Sequence, residues 1–346
     1  MIHLFPKLAL SLCVAGLISI IMASASQFTP SYQLTANHPR EGIQFVDIAH
    51  RLITNPVKVS SKIISFAWSP DGRYLITLQS VDNAKAVWVW DLQTHHWNNL
   101  TTLFGIYDLP SWSPDNQQIT FTRNRHFDYG TELVVGDIST GETQLLLKDT
   151  PVARPVWSQD SQHIAFYSRN ADLNWELGIV DKAGQRLHHI PFPDNPSRLP
   201  EIPPAWVTDQ DQVIIQTQNY LYRVDVATET VSALYAGTSS ADNLLHVQSH
   251  DGMWALVLPV ASSQVSVTNL VDQTEICLFC TNALTRTTLY LESASWSPDD
   301  TFLVIPGAYA TNSSIESPTL FIYNTQTSEI NLLDAVLFSP LRWRPD

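Results

Sequence analysis

Seven times along this chain a largely apolar run of four residues ends in Asp or Asn, at nearly constant spacing. The ends fall at Asp47, Asp91, Asp137, Asp181, Asp225, Asn269 and Asn324, separated by 44, 46, 44, 44, 44 and 55 residues. A second series keeps step with the first: Trp68-Ser-Pro-Asp-Gly, Trp112-Ser-Pro-Asp-Asn, Trp157-Ser-Gln-Asp-Ser, Trp206-Val-Thr-Asp, Gln248-Ser-His-Asp-Gly, Trp296-Ser-Pro-Asp-Asp and Trp343-Arg-Pro-Asp. Its spacings are 44, 45, 49, 42, 48 and 47. A fixed period of this size marks a repeat architecture, and roughly 40–45 residues is the length of one four-stranded propeller blade.

Within one repeat the local chemistry is legible. In Trp-Ser-Pro-Asp-Gly, Pro presets φ for a tight turn, Asp folds back on the backbone, and Gly accepts positive φ. The Trp ends the strand before the turn (strand A) and offers a wide apolar surface to the neighbouring blade. Strand B follows, apolar on both faces as in Leu75-Ile-Thr-Leu78 and Leu303-Val-Ile305, which fits a strand covered from both sides. Strand C ends in the Asp or Asn, and a polar turn leads to an outer strand D. Once-per-blade recurrence makes the Trp, Pro and Asp of this motif structural rather than catalytic.

The ends of the chain complete the count. It stops just after a seventh strand A, at Trp343-Arg-Pro-Asp346, and offers Ser31–Thr35, Ile43–Asp47 and Arg51–Thr54 as strands B, C and D near its start. Pairing these in one sheet removes the exposed edges of an open ring. The expectation is an all-β, seven-bladed propeller with a three-plus-one closure, six blades being the alternative, in a single domain over residues 26–346. The repeats resemble the TolB-like, WD-related propeller family across residues 28–346, most closely at 68–72, 112–116 and 296–300. That resemblance implies the fold and a docking role. The stretch from Ser26 to Lys62 is too short for the α/β domain that precedes the TolB propeller, and no hydrolase domain follows residue 346, so a stand-alone propeller is expected.

Residues 1–25 read as a secretory signal: Lys7, an apolar stretch from Leu8 to Met22, then Ala23-Ser24-Ala25 at the cleavage positions. Cleavage is expected after Ala25, giving an extracytoplasmic (secreted or periplasmic) protein; the alternative is an uncleaved anchor over residues 8–25. A formal net charge of −14 with no Lys/Arg cluster argues against nucleic acid or an anionic membrane as partner. Behind a signal, Cys277-Leu-Phe-Cys280 reads either as a local disulfide or as two reduced core thiols. In an extended strand these positions lie about 10 Å apart, so a bridge requires a turn at Leu278-Phe279.

No nucleophile elbow, zincin motif, phosphate loop or calcium ladder is present, and no cofactor, metal or catalytic residue is assigned. His95-His96 and His188-His189 are placed at C–D turns, one imidazole of each pair facing in and the other out. Specificity in a propeller resides in loops, and two neighbouring B–C loops concentrate cationic and aromatic residues of the kind that form interaction hot spots. The candidate partner-binding residues are Arg123, Arg125, His126, Asp128, Tyr129, Arg154, Arg169, Asp172 and Trp175. The alternative for these loops is a set of solvated loops whose Arg side chains pair with nearby Asp. The function expected is a monomeric, non-enzymatic scaffold that docks a protein, peptide or glycan on this face. The competing reading is a propeller hydrolase or lyase with a central-channel site drawn from His126, Asp128, Arg154, Arg169 and Asp172.

Overall fold

The computed structural model describes residues 33–38, 42–47, 52–53, 62–82, 84–103, 110–123, 131–148, 150–200, 202–207, 211–218, 220–236, 243–249, 253–259, 265–269, 274–278, 287–289, 294–297, 299–310, 316–334 and 341–344. Strands are numbered here in chain order. Those ending at the Trp series are β4 (Lys62–Trp68), β8 (Ser111–Trp112), β12 (Val152–Trp157), β16 (Ala205–Trp206), β20 (Asn243–Gln248) and β25 (Ser295–Trp296), with β29 (Leu341–Arg344) running one residue past Trp343. Those ending at the Asp/Asn series are β2 (Gly42–Asp47), β6 (Ala84–Asp91), β10 (Glu132–Asp137), β14 (Trp175–Asp181), β18 (Tyr220–Asp225), β22 (Ser266–Asn269) and β27 (Glu316–Asn324). Both series therefore mark strand ends, as their turn chemistry requires.

The fold is an all-β propeller. Six of the described sheets come from contiguous chain, spanning 62–103, 111–147, 152–191, 205–236, 243–277 and 287–334. A further sheet joins β1 (Gln33–His38), β2 and β3 (Leu52–Ile53) to β29 from the other end of the chain. Its antiparallel register sets Leu34 opposite Trp343 and Thr35 opposite Arg342. In the 287–334 sheet, strand A is split: β24 (Thr287–Leu289) and β25 both pair with β26 (Phe302–Ala310).

Where strand A ends in Trp, the indole packs against the preceding sheet. Trp112 joins Ile76, Leu78, Val87 and Val89 of the preceding sheet, Trp157 joins Leu133, Val135 and Leu147, and Trp296 joins Leu256 and Val267. These indoles are at most 8% exposed, so each repeat buries its face only against the next, as stacked repeat units do. Two indole N–H groups also donate backwards, from Trp206 to the Val156 carbonyl (3.3 Å) and from Trp296 to the Val247 carbonyl (3.4 Å).

The A–B turn is built around its serine as much as its proline. In four copies the Ser hydroxyl donates to the Asp two residues on at 2.5–2.6 Å: Ser69 to Asp71, Ser113 to Asp115, Ser158 to Asp160 and Ser297 to Asp299. The same oxygen accepts the N–H five residues on, in Tyr74, Gln118, His163 and Phe302, and in Trp254 for Ser249. The residue after the Asp adopts left-handed φ at Gly72 (66°), Asn116 (63°), Ser161 (57°) and Asp300 (54°), which explains why small and Asx-type residues occupy that place. The turns also link head to tail: the Asp71 N–H donates to Asn116 Oδ1 (2.9 Å) and the Asp115 N–H to Ser161 Oγ (3.1 Å).

Two expectations change. His188-His189 is not at a turn; both residues lie within β15 (Arg186–Pro191), because the turn closes earlier, where Asp181 Oδ1 accepts the N–H groups of Ala183 and Gln185. The stretch from Gly307 to Pro318, whose polar composition is that of a long B–C loop, is instead strand over its described residues, Ala308 pairing with Pro318 and Ala310 with Glu316. The signal segment (1–25) lies outside the described residues.

Candidate functional site

Antiparallel order places the A–B and C–D turns on one face and the B–C and D–A connections on the other. On the second face, the B–C loop of the sheet at 111–147 is framed by Arg123 and Glu132, which stand opposite each other in adjacent strands. Their side chains form a 2.6 Å ion pair and are 8% and 6% exposed. Arg123 is therefore a buried, paired cation that frames the loop and presents no charge to solvent; its partner is Glu132 rather than an Asp. Arg125, His126, Asp128 and Tyr129 lie outside the described residues.

The next B–C loop is tightly closed. Asn170 Oδ1 accepts the N–H groups of Asp172 (3.0 Å) and Asn174 (3.1 Å), and the Asn170 N–H donates to the Asn174 carbonyl (3.0 Å). Leu173 takes left-handed φ (64°) at the tip and is 64% exposed. Asp172 and Arg169 are exposed, whereas Trp175 is 8% exposed. Trp175 was expected at the surface; its indole instead joins the core between this sheet and the next, because its position in β14 faces the following blade. The Arg169 guanidinium sits 5.1 Å from the Trp175 ring centroid, so the cation covers the aromatic rather than standing beside it. Arg154 occupies a β-bulge in β12 with φ 54°.

Residues outside the candidate partner-binding set complete this face. Glu176 Oε1 accepts from His189 Nδ1 (2.8 Å), and His189 Nε2 lies 3.2 Å from Arg186 NH1. Arg186 NH2 donates to Thr150 Oγ1 (2.7 Å) in the connection from the preceding sheet. The alternation of β15 sends His188 the opposite way, to Glu229 of the following sheet (2.8 Å). The pair therefore diverges onto the two faces of a strand, each imidazole reaching a carboxylate, rather than one facing inward and one outward at a turn. The visible signal was His-His opposite a strand beginning Trp-Glu; a period of 2 predicts one imidazole per face. Beneath, Tyr167 donates to the Ile202 carbonyl (3.1 Å), and burial pushes its phenol far above the ordinary range.

Among its described residues, this face carries two paired acids, Glu132 with Arg123 and Glu176 with His189. The Glu176–His189 pair has the geometry of a general base with its orienting carboxylate, yet the far nitrogen meets a guanidinium instead of a hydroxyl or thiol. Among the described residues, no group of three or more His, Cys, Asp or Glu is placed to hold a metal ion. No helix of the described residues is long and apolar enough to cross a membrane. Cys277 is disulfide-bonded; Cys280 lies outside the described residues.

Residues 34–201 match the model of the TolB beta propeller domain. Over 84 residues the chain is 29% identical to the Tol-Pal system protein TolB of Alcanivorax borkumensis, a segment amounting to 24% of this chain and 19% of that relative. The match therefore spans about a fifth of the relative's length. Among solved structures, TolB from Acinetobacter baumannii superimposes with a TM-score of 0.55 at 19% identity, covering 96% of this chain and 72% of that one. An oligogalacturonate lyase in complex with manganese gives 0.58 at 14% identity, covering 84% and 83%. Residues 34–201 thus carry a TolB-like propeller signature, and the chain as a whole has the propeller fold.

Proposed function

We propose that this protein is an extracytoplasmic, non-enzymatic scaffold that docks a protein, peptide or glycan on the face carrying the B–C and D–A connections. The observation that carries this reading is the loop at 170–174. Its backbone is fixed by four hydrogen bonds through Asn170, while it presents Asp172 and Leu173 to solvent beside the exposed Arg169. Preorganised loops lower the ordering cost of association. The competing reading, a hydrolase or lyase, draws on likeness of fold, and fold does not carry function. We further read the sheets as one closed ring of seven blades, supported by the pairing of β1 with β29 and by the place of β29 beside both β25 and β4. An oxidising compartment is supported by the disulfide at Cys277, with Cys280 as its proposed partner, and by the signal-like residues 1–25.

The test is capture of partners from an extracytoplasmic extract with the native chain and with an Arg169→Ala, Leu173→Ser variant. Both side chains are exposed, so folding stays intact while capture is lost. A variant that captures the same partners as the native chain overturns the choice of face. Trp175→Ala is unsuitable, since it empties a core position. The amino terminus of the exported protein, read by mass spectrometry, begins at Ser26 if the leader is cleaved.

A further inference from the structure

The opposite face, which carries the A–B turns, holds a cleft of about 400 Å³ between the 152–191 and 205–236 sheets. It lies where the repeat motif departs furthest from its pattern. Gln159 replaces the turn Pro in one copy, and Val207 replaces the turn Ser in the next. The hairpin at Val207 survives through its backbone, the Val207 N–H donating to the Gln212 carbonyl (2.9 Å). What changes is the wall: this side of the cleft is apolar, formed by Trp206 and Val207, while the other carries Gln159, Asp160 and His163, with Asp211 also in the lining.

The two carboxylates differ in what they already do. Asp160 Oδ1 accepts the Ser158 hydroxyl (2.5 Å) and the Gln162 N–H (2.9 Å), which closes the turn. Its Oδ2 faces His163 Nδ1 at 3.7 Å, beyond a hydrogen bond, on a side chain 58% exposed. The Asp211 carboxylate is exposed and makes no hydrogen bond to any described residue. An apolar wall beside two exposed carboxylates matches a ligand with an aliphatic stem and a cationic head. A guanidinium suits such a pair best, because its planar fork can serve two carboxylate oxygens at once. The acidic net charge of the chain, −14, favours the approach of such a group.

We infer that this cleft is a binding site for the side chain of an arginine, presented by a polypeptide partner, with Asp160 and Asp211 holding the guanidinium and Trp206 and Val207 the methylene stem. The site is independent of the docking face proposed above and lies on the other side of the ring.

The experiment titrates the intact chain with an acetylated, amidated Gly-Arg-Gly peptide, following the indole N–H resonance of Trp206, which is hydrogen-bonded to the Val156 carbonyl. The same peptide with citrulline, a neutral isostere, is the control, and free arginine is a third probe. Saturable binding of the Arg peptide but not the citrulline peptide is expected, weakening as salt rises. Asp211→Asn, which breaks no side-chain hydrogen bond among the described residues, should weaken binding by about fivefold. Asp160→Asn tests the second carboxylate but also loosens the turn, so Asp211→Asn decides the matter. Weaker binding of free arginine than of the peptide supports a polypeptide source, and equal binding assigns the site to a free small cation instead. Equal binding of the citrulline peptide, or no effect of Asp211→Asn, overturns the site.

Discussion

The indole N–H of Trp68 donates to the hydroxyl of Thr35 at 2.8 Å, across 33 residues of chain, and both groups are buried. This bond ties the first contiguous sheet to the composite one, where β1 is also held by β29. Thr35→Val removes the acceptor while keeping the shape, leaving a buried donor unpaired at a cost of about 1–3 kcal/mol. Thr35→Ser should recover most of it. Equal urea midpoints for the Val variant and the native chain would show that the bond contributes nothing.

Deleting residues 339–346 removes β29 and leaves an edge of β1 unpaired. The melting temperature should fall by several degrees or more, and the truncated protein should associate through the freed edge. An unchanged transition in calorimetry would mean that the closing strand is dispensable.

The turn serines should matter more than the turn prolines. Ser113→Ala removes the hydroxyl that donates to Asp115 (2.6 Å) and accepts the Gln118 N–H (2.9 Å). Ser113 is 1% exposed, so a loss of about 1–3 kcal/mol is expected from the unpaired groups alone. Pro114→Ala should cost less than Ser113→Ala, in denaturant titrations of the two variants.

Acid should act through the ends of strand C. The Asp91 carboxylate is held below its ordinary range, chiefly by the hydrogen bond from Arg73 and then by the N–H groups of Gln93 and Thr94, against the opposing effect of burial. A carboxylate whose folded value is depressed stabilises the protein above its unfolded value, near pH 4, and loses that contribution as pH falls through the folded value. Asp91→Asn should therefore lower stability at pH 7 and flatten the acid decline below about pH 4. Parallel pH profiles of the variant and the native chain would exclude this pair as a source of acid lability.

Gly178 stands opposite Phe166, and a Cβ there would come within 2.5 Å of the ring carbon Cε2. Phe166 is fully buried, so Gly178→Ala should cost about 1–3 kcal/mol through overpacking. The double change Gly178→Ala, Phe166→Leu should be less than additive. Strict additivity of the two changes in denaturant titration would place the strain elsewhere.

Much of the architecture is a local matter, and the sequence alone determined it. A strand that ends at Trp112 or Asp137 does so because the next residues can turn, and turning depends on side chains within a few positions: Ser113 with Asp115, or Asp137 with Ser139 and Thr140. Repetition of that local rule fixes period, strand order and face. The function-bearing details were decided only by tertiary structure, because they depend on contacts between neighbouring sheets. Arg123 and Arg169 look alike in sequence, yet one is buried against Glu132 and the other lies over Trp175. His188 and His189 are adjacent, yet they reach acids 41 positions ahead and 13 behind, on opposite faces of one strand. The cleft beside Val207 lies where two imperfect copies of the turn motif meet across a sheet boundary. Its walls come from residues that a period of about 44 keeps apart in the chain and packing brings together.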